Sequence, residues 1–205
     1  MARHNRFPMI YLVRHGETEW SLSGQHTGRA DVPLTPDGEQ SARALRTQLS
    51  ALSVAAVWSS PSERARRTGE LAGFAERIEV VPDLAEWDYG EYEGLTTREI
   101  SASQPNWRLF RDGCPLGENA RDLGVRSDRI ISRVRKLNDN VLIFSSAHIL
   151  RVLAARWVDL PPERGASLVL NTAGFSVLGY EHDLTEPVIS CWNAPWRLTG
   201  SEPST

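Results

Sequence analysis

The sequence contains few cysteines, no long apolar run and little net charge. Its 205 residues include two cysteines, Cys114 and Cys191, which lie far apart and outside any metal-ligand spacing. This argues against a disulfide framework and indicates a reducing compartment. The apolar run at residues 9–13 is too short for a signal-peptide core or a membrane span. Together these absences predict a cytoplasmic protein with no membrane partner.

Charge and motifs exclude further classes. A formal net charge of −3 gives no general attraction to nucleic acid, so any anion must bind locally. We also identify no close group of histidines and carboxylates in the sequence, and it lacks a glycine-rich loop ending in Lys-Ser/Thr. We therefore expect no metal, no cofactor and no nucleic-acid partner. The sequence is compatible with a monomer or with a homo-oligomer.

Short apolar runs alternate with amphipathic segments, which is typical of βαβ units. The composition, 40% hydrophobic and 24% charged, fits one domain over residues 1–205 with flexible termini at 1–8 and 199–205. The pattern predicts an α/β fold, with three α/β/α layers around a mostly parallel sheet. Strands are predicted at 9–13, 54–58, 78–81 and 141–144, an edge hairpin at 175–180 and 188–192, and helices at 36–52, 61–74, 97–103, 119–137 and 149–158.

Polar residues follow four of these strands, at the sheet edge where open α/β sheets bind ligands. Arg14 and His15 follow the first strand, Arg64 the second, Glu86 the third and His148 the fourth. A neutral imidazole such as His15 is a competent nucleophile toward a phosphate ester. Arg14 and Arg64 would hold the phosphoryl oxygens and offset charge in the transition state. The residues predict a metal-independent phosphohydrolase in which His15 briefly carries the phosphoryl group.

The alkoxide that leaves a sugar or alcohol phosphate is basic and needs a proton donor, for which Glu86 is the candidate. Its loop carries Trp87, Tyr89 and Tyr92, whose apolar bulk is expected to desolvate the carboxyl and raise its pKa. Once the leaving group departs, the same residue, now a carboxylate, would activate water against the phosphohistidine. We therefore predict that Glu86 serves both half-reactions.

These four segments, in this order, resemble the histidine phosphatase superfamily, also called the phosphoglycerate mutase-like fold. Residues 14–18 match its defining motif, Arg64 its second arginine motif and Glu86 its acid motif. Residues 87–94 are similar to the branch that contains sedoheptulose bisphosphatase. The insertion that phosphoglycerate mutases of the family usually carry after the acid motif is absent, which favours hydrolysis over mutase activity.

The resemblance also implies substrate contacts. The loop at residues 23–35 resembles a substrate-contacting loop of the family, so Thr27 and Gly28 are expected to bind the substrate. Gly16 is expected to let the backbone approach the ligand closely. The remaining members of the expected substrate pocket are Thr18, Ser21, Tyr89, Ser146 and Arg151.

One position departs from the family pattern. The second active-site histidine usually lies five residues before an arginine, and counting back from Arg151 gives Ser146, followed by Ala147 where glycine is usual. His148 lies two residues later and would reach the pocket from a shifted turn or from the first turn of the next helix, whose N–H groups also favour anions. Alternatively the second histidine is absent, and Ser146 donates a hydrogen bond to phosphate without adding charge.

The predicted function is hydrolysis of small phosphorylated metabolites, in particular sugar phosphates, through a phosphohistidine on His15. One alternative is a phosphoglycerate mutase-like phosphotransferase that returns the phosphoryl group to an acceptor. The other, motivated by Ser146 and Ala147, is a catalytically weak phosphate-binding protein.

Overall fold

A six-stranded sheet forms the centre of the computed structural model, which describes residues 7–195. The predicted flexible termini lie outside these residues, except for Phe7 and Pro8 at the start; the Phe7 ring packs edge-on against Tyr180, with 6.3 Å between centroids. The strands are β1 (Ile10–Arg14), β2 (Ala56–Ser59), β3 (Ile78–Val80), β4 (Val141–Ser145), β5 (Phe175–Tyr180) and β6 (Pro187–Ala194).

The sheet has the strand order β3-β2-β4-β1-β5-β6. The four strands from β3 to β1 pair in parallel, with Ile10 opposite Val141 in the β1–β4 register. β5 runs antiparallel to β1, and β6 runs antiparallel to β5. The predicted mostly parallel sheet with an edge hairpin is therefore confirmed.

The helices within residues 7–195 are α1 (Glu19–Ser23), α2 (Pro36–Leu49), α3 (Glu63–Gly69), α4 (Thr97–Ser103), α5 (Leu109–Asp112), α6 (Ala120–Leu137) and α7 (Ala147–Trp157). The helix predicted at 61–74 changes to a π-helical turn at Glu70–Phe74, where Gly73 has a φ of 97°. α1 and α5 were not predicted from the sequence. They are too short to show an apolar period, and α1 depends on a capping box between Thr18 and Ser21.

Both faces of the sheet are covered. On one face, Ile130 of α6 and Leu150 of α7 pack with Ile10 and Leu12 of β1. On the other face, residues of α2 and of the Glu70–Phe74 turn pack with Val13 of β1. Because successive side chains of a strand point to opposite faces, a strand covered on both sides reads as a continuous apolar run. The predicted three-layer α/β/α arrangement is confirmed.

A third apolar cluster supports the loop between β3 and α4. Trp87 and Tyr89 of this loop are buried with Ile100 of α4 and Leu123 of α6. The indole Nε1 of Trp87 donates to the carbonyl of Glu118 at 2.8 Å. This packing fixes Glu86, the preceding residue, at the carboxyl edge of the sheet. Among the described helices, none combines the length and apolar character required to cross a bilayer.

Candidate active site

The carboxyl ends of the parallel strands bring the predicted residues together. The backbone N–H of His15 donates to Ser145 at the end of β4, at 2.9 Å. Next to it, the N–H of Ser60 donates to Phe144 at 2.9 Å, which sets the start of the segment that carries Arg64. Residues directly after β1, β2 and β4 therefore share one edge, as the rule for open α/β sheets predicts.

His15 is buried, and its ring has a defined orientation. Its Nδ1 lies 2.7 Å from the carbonyl oxygen of Gly16. A carbonyl oxygen can only accept, so the proton of the neutral imidazole is on Nδ1 and the lone pair is on Nε2. Burial, followed by the positive charges of Arg14 and Arg64, lowers the pKa of His15 well below its ordinary value. The ring is therefore neutral near pH 7, as a nitrogen nucleophile requires.

Two guanidinium groups lie near this imidazole. Arg64 is fully buried and donates to the carbonyls of Ala30 and Thr27 at 2.9 Å and of Gly28 at 3.2 Å. Arg14 donates from Nη1 to the carbonyl of Leu170 at 2.7 Å. The Nε–H groups of both arginines are buried and have no hydrogen-bond partner within residues 7–195. Buried donors are rarely left unsatisfied, so these two are available for an anion.

Glu86 differs from the expectation. Its Oε1 accepts the backbone N–H groups of Trp87 at 2.9 Å and Ile149 at 3.0 Å, and its Oε2 accepts that of His148 at 3.0 Å. Burial raises the pKa of Glu86, but the hydrogen bonds from His148 and from the backbone N–H of Trp87 outweigh burial and hold it well below its ordinary value. The predicted raised pKa is therefore wrong, because three N–H donors stabilise the carboxylate.

The first turn of α7 brings one imidazole into the site. Ser146 is the N-cap of the helix, and its Oγ lies 3.4 Å from Nη2 of Arg64. His148 follows in the first turn, with Nδ1 2.7 Å from the hydroxyl of Tyr89 and 3.6 Å from Oε2 of Glu86. Two residues were considered in place of the second active-site histidine. The structure brings the His148 ring to the cavity, whereas the Ser146 hydroxyl lies beside Arg64.

A cavity of about 180 Å³ is lined by both predicted and unpredicted residues. Arg14, His15, Ser21, Thr27, Glu86, Tyr89 and His148 are the predicted ones. Trp20, Gln25 and His26 also line it and were missed. His26 stacks on Tyr89, with 4.7 Å between ring centroids and an interplanar angle of 30°. The only sequence signal for His26 was its position within the loop at 23–35.

Three of the expected pocket residues have other contacts. Gly16 donates its N–H to Thr68, and a Cβ on it would lie 2.5 Å from the carbonyl oxygen of Gly38. Glycine at this position is thus required by the approach of α2. Thr18 caps α1 by accepting the N–H of Ser21 at 3.1 Å. Arg151 donates to two carbonyls of the Pro162–Ser167 turn, at 2.9 Å each, and is not among the cavity-lining residues.

Contrary to expectation, one close group of a histidine and carboxylates occurs within residues 7–195, and it is exposed. It consists of Glu181, His182 and Glu186 in the turn between β5 and β6. Because Leu178 of β5 pairs with Ile10 at the start of β1, this turn is at the opposite end of the sheet from His15. Any ion held there would be remote from the cavity.

The chain is similar to proteins of known family and structure. Residues 10–195 match the histidine phosphatase superfamily (branch 1). The chain is 38% identical over 181 residues to an acid phosphatase of Mycobacterium tuberculosis, covering 86% of this chain and 89% of that protein. It is 36% identical over 187 residues to sedoheptulose 1,7-bisphosphatase of Saccharomyces cerevisiae, covering 75% and 68%. The solved structure of the Rv3214 product of Mycobacterium tuberculosis superposes with a TM-score of 0.88 at 35% identity, covering 94% and 100% of the two chains.

Proposed function

The chain belongs to the histidine phosphatase superfamily, and on that premise we propose that it hydrolyses small phosphorylated metabolites, in particular sugar phosphates, through a phosphohistidine on His15. Its relatives include an acid phosphatase and a sedoheptulose bisphosphatase, so phosphoric monoester hydrolysis is the reaction class. The observation that carries the proposal is the neutral imidazole of His15, with its lone pair on Nε2 and two buried arginines beside it.

In the first step, Nε2 of His15 bonds to phosphorus while the ester P–O bond breaks. Arg14 and Arg64 offset the charge on the phosphoryl oxygens, and their Nε–H groups become satisfied. The leaving oxygen takes a proton from Glu86. Because Glu86 is ionised in the free protein, we propose that the substrate binds as the monoanion and supplies this proton to the carboxylate.

In the second step, water attacks the phosphohistidine and the P–N bond breaks. Glu86, again a carboxylate, accepts a proton from the attacking water, and inorganic phosphate leaves. The hydrogen bonds from Trp87, His148 and Ile149 suit this base role, because they hold the carboxylate in one orientation. Glu86 then passes this proton to the departing phosphate and is ionised again. The proton balance closes over the two steps, because the ester's proton leaves on the alcohol and the proton from water leaves with the phosphate.

Rapid-quench labelling with a radiolabelled phosphate ester tests this proposal. We expect label on the protein that is labile in acid and stable in base, and that disappears in His15→Ala. His182→Ala, which removes an exposed histidine at the far end of the sheet, should keep the label. Steady release of phosphate without histidine label would contradict the intermediate. An isomerised ester in place of phosphate would support the mutase alternative, and turnover no higher than that of His15→Ala would support the phosphate-binding alternative.

A further inference from the structure

We propose that the leaving-group side of the cavity accepts an uncharged ring, so that the preferred substrates are monophosphates of cyclic sugars or similar rings, not bisphosphates or phosphorylated acids. This inference rests on the proposed hydrolysis at His15 and narrows its substrate class. It depends on two properties of the cavity, an aromatic wall and the absence of a second cationic subsite within the described residues.

The aromatic wall consists of Trp20, His26, Tyr89 and His148, which line the cavity together. His26 stacks on Tyr89 at 4.7 Å and meets Trp107 edge-on at 5.7 Å, so its ring is held in place from two sides. Tyr89 is in turn held by its hydrogen bond to His148. Flat, fixed aromatic faces bind the apolar faces of rings, with little entropy lost on binding.

The charges in the cavity suffice for a single phosphoryl group. Arg14 is the only arginine or lysine among the described residues that line it. Arg64 is not among these residues, but it donates to the carbonyl of Thr27, which is one of them. Arg14 directly precedes His15 and lines the cavity with it, and the charges of both arginines lower the pKa of His15. Beyond them the wall carries no cation, because burial lowers the pKa of His26 to about 4 and also lowers that of His148. A second anionic group would therefore meet neutral rings and the Glu86 carboxylate.

The neighbouring cavity offers no alternative place for a second anion. It has a volume of about 480 Å³ and shares Glu86 with the first cavity. Its charged lining residues are four carboxylates and two guanidiniums, so negative charge is in excess; they are Asp31, Glu86, Asp88, Glu118, Arg29 and Arg126. Both arginines are already paired, Arg29 with Asp88 at 2.5 Å and Arg126 with Glu118 at 2.8 Å. A second phosphate would be repelled here as well.

A matched pair of substrates tests the inference. Glucose 6-phosphate and glucose 1,6-bisphosphate share one ring and differ in a single phosphate. We expect kcat/KM to be higher for the monophosphate by about tenfold or more, because like charges at a recognition site strongly disfavour a ligand. Direct binding of both sugars to His15→Ala, measured by calorimetry, should give the same order of affinity without any turnover.

Substitutions of His26 test the aromatic contact and the absence of a cation separately. His26→Ala should lower kcat/KM on glucose 6-phosphate by about tenfold while changing that on acetyl phosphate, which has no ring, much less. His26→Lys adds the missing cation and should shift the preference toward the bisphosphate, whereas the matched control His182→Lys, in the exposed turn, should not. A wild-type preference for the bisphosphate in both assays would overturn the inference and leave hydrolysis intact. Tighter, His26-dependent binding of the monophosphate without phosphate release would support the pocket assignment and contradict hydrolysis.

Discussion

The hydroxyl of Tyr89 and Nδ1 of His148 lie 2.7 Å apart, and this contact joins the loop after β3 to the first turn of α7. Glu86 reinforces the junction by accepting the backbone N–H of His148. Burial, with the nearby Glu86 charge, raises the pKa of Tyr89 well above its ordinary value, so the phenol keeps its proton and can donate it to Nδ1. The proton of the neutral imidazole then resides on Nε2.

Replacing Tyr89 with phenylalanine removes this hydrogen bond and keeps the aromatic ring. We expect the free energy of unfolding to fall by about 1 kcal/mol, the usual contribution of a hydrogen bond. We expect kcat/KM on a sugar phosphate to fall roughly tenfold, because the His148 ring loses the partner that orients it. Nitrogen NMR shifts of His148 report its tautomer directly. Unchanged shifts in Tyr89→Phe, with Tyr92→Phe as control, would show that the contact does not orient the imidazole.

Glu86→Gln tests the proton-transfer role. The glutamine cannot donate a proton to an alkoxide or accept one from water, so we expect turnover of alkyl phosphates to fall by about 10² to 10⁴. The first step on p-nitrophenyl phosphate should suffer much less, because its leaving group needs little protonation. Single-turnover kinetics on both esters measures this difference. If Glu86→Gln slows the first step equally for both esters, Glu86 only holds α7 in place.

The pH dependence of kcat/KM tests where that proton comes from. A phosphate monoester loses its second proton near pH 6, so the monoanion becomes scarce above this pH. We therefore expect kcat/KM to fall about tenfold for each pH unit above about 7. The midpoint should move to lower pH for p-nitrophenyl phosphate, whose second pKa is lower. An identical alkaline limb for both esters would assign the titration to the protein instead.

Alanine substitutions compare His148 and Ser146, the two residues considered in place of the second active-site histidine of the family. His148→Ala removes a ring that lines the cavity, so we expect kcat/KM to fall by roughly 10². Ser146→Ala removes a hydroxyl whose contact with Arg64 is long, at 3.4 Å, so we expect a loss of no more than about threefold. Assays of phosphate release with both variants decide between them. A larger loss in Ser146→Ala would reverse the assignment.

Local sequence patterns predicted the layers, the sheet and the convergence of four segments, because strand ends follow from short apolar runs. They did not predict the ionised state of Glu86. Its loop was correctly expected to be apolar, but two of its three N–H donors belong to His148 and Ile149, about sixty residues further along the chain. His26 was missed for a similar reason, since its stacking on Tyr89 depends on the packing of two loops. Long-range contacts of this kind leave no periodic signal.

The low pKa of His26 also predicts how stability varies with pH. Burial lowers this pKa from 6.5 to about 4 in the folded protein. Between these values the unfolded chain binds a proton at His26 and the folded chain does not, so stability falls as the pH falls. Near pH 5 to 6 the contribution of one such group approaches about 1.4 kcal/mol per pH unit.

His26→Gln removes this contribution. We therefore expect the free energy of unfolding of the variant to depend less steeply on pH in that window, by up to about 1.4 kcal/mol per pH unit. The pKa values of His15 and His148 are also lowered in the folded protein. Both residues are present in wild type and in His26→Gln, so their contributions to the pH dependence of stability cancel when the two slopes are compared. His182→Gln is the matched control, because the hydrogen bond to Glu186 raises the pKa of His182 and moves its effect to higher pH. Urea unfolding at half-unit steps from pH 4.5 to about 7 measures the slopes. If the free energy of unfolding has the same slope against pH in wild type and His26→Gln, His26 takes up its proton in the folded protein as readily as in the unfolded chain. In that case the aromatic wall does not exclude charge.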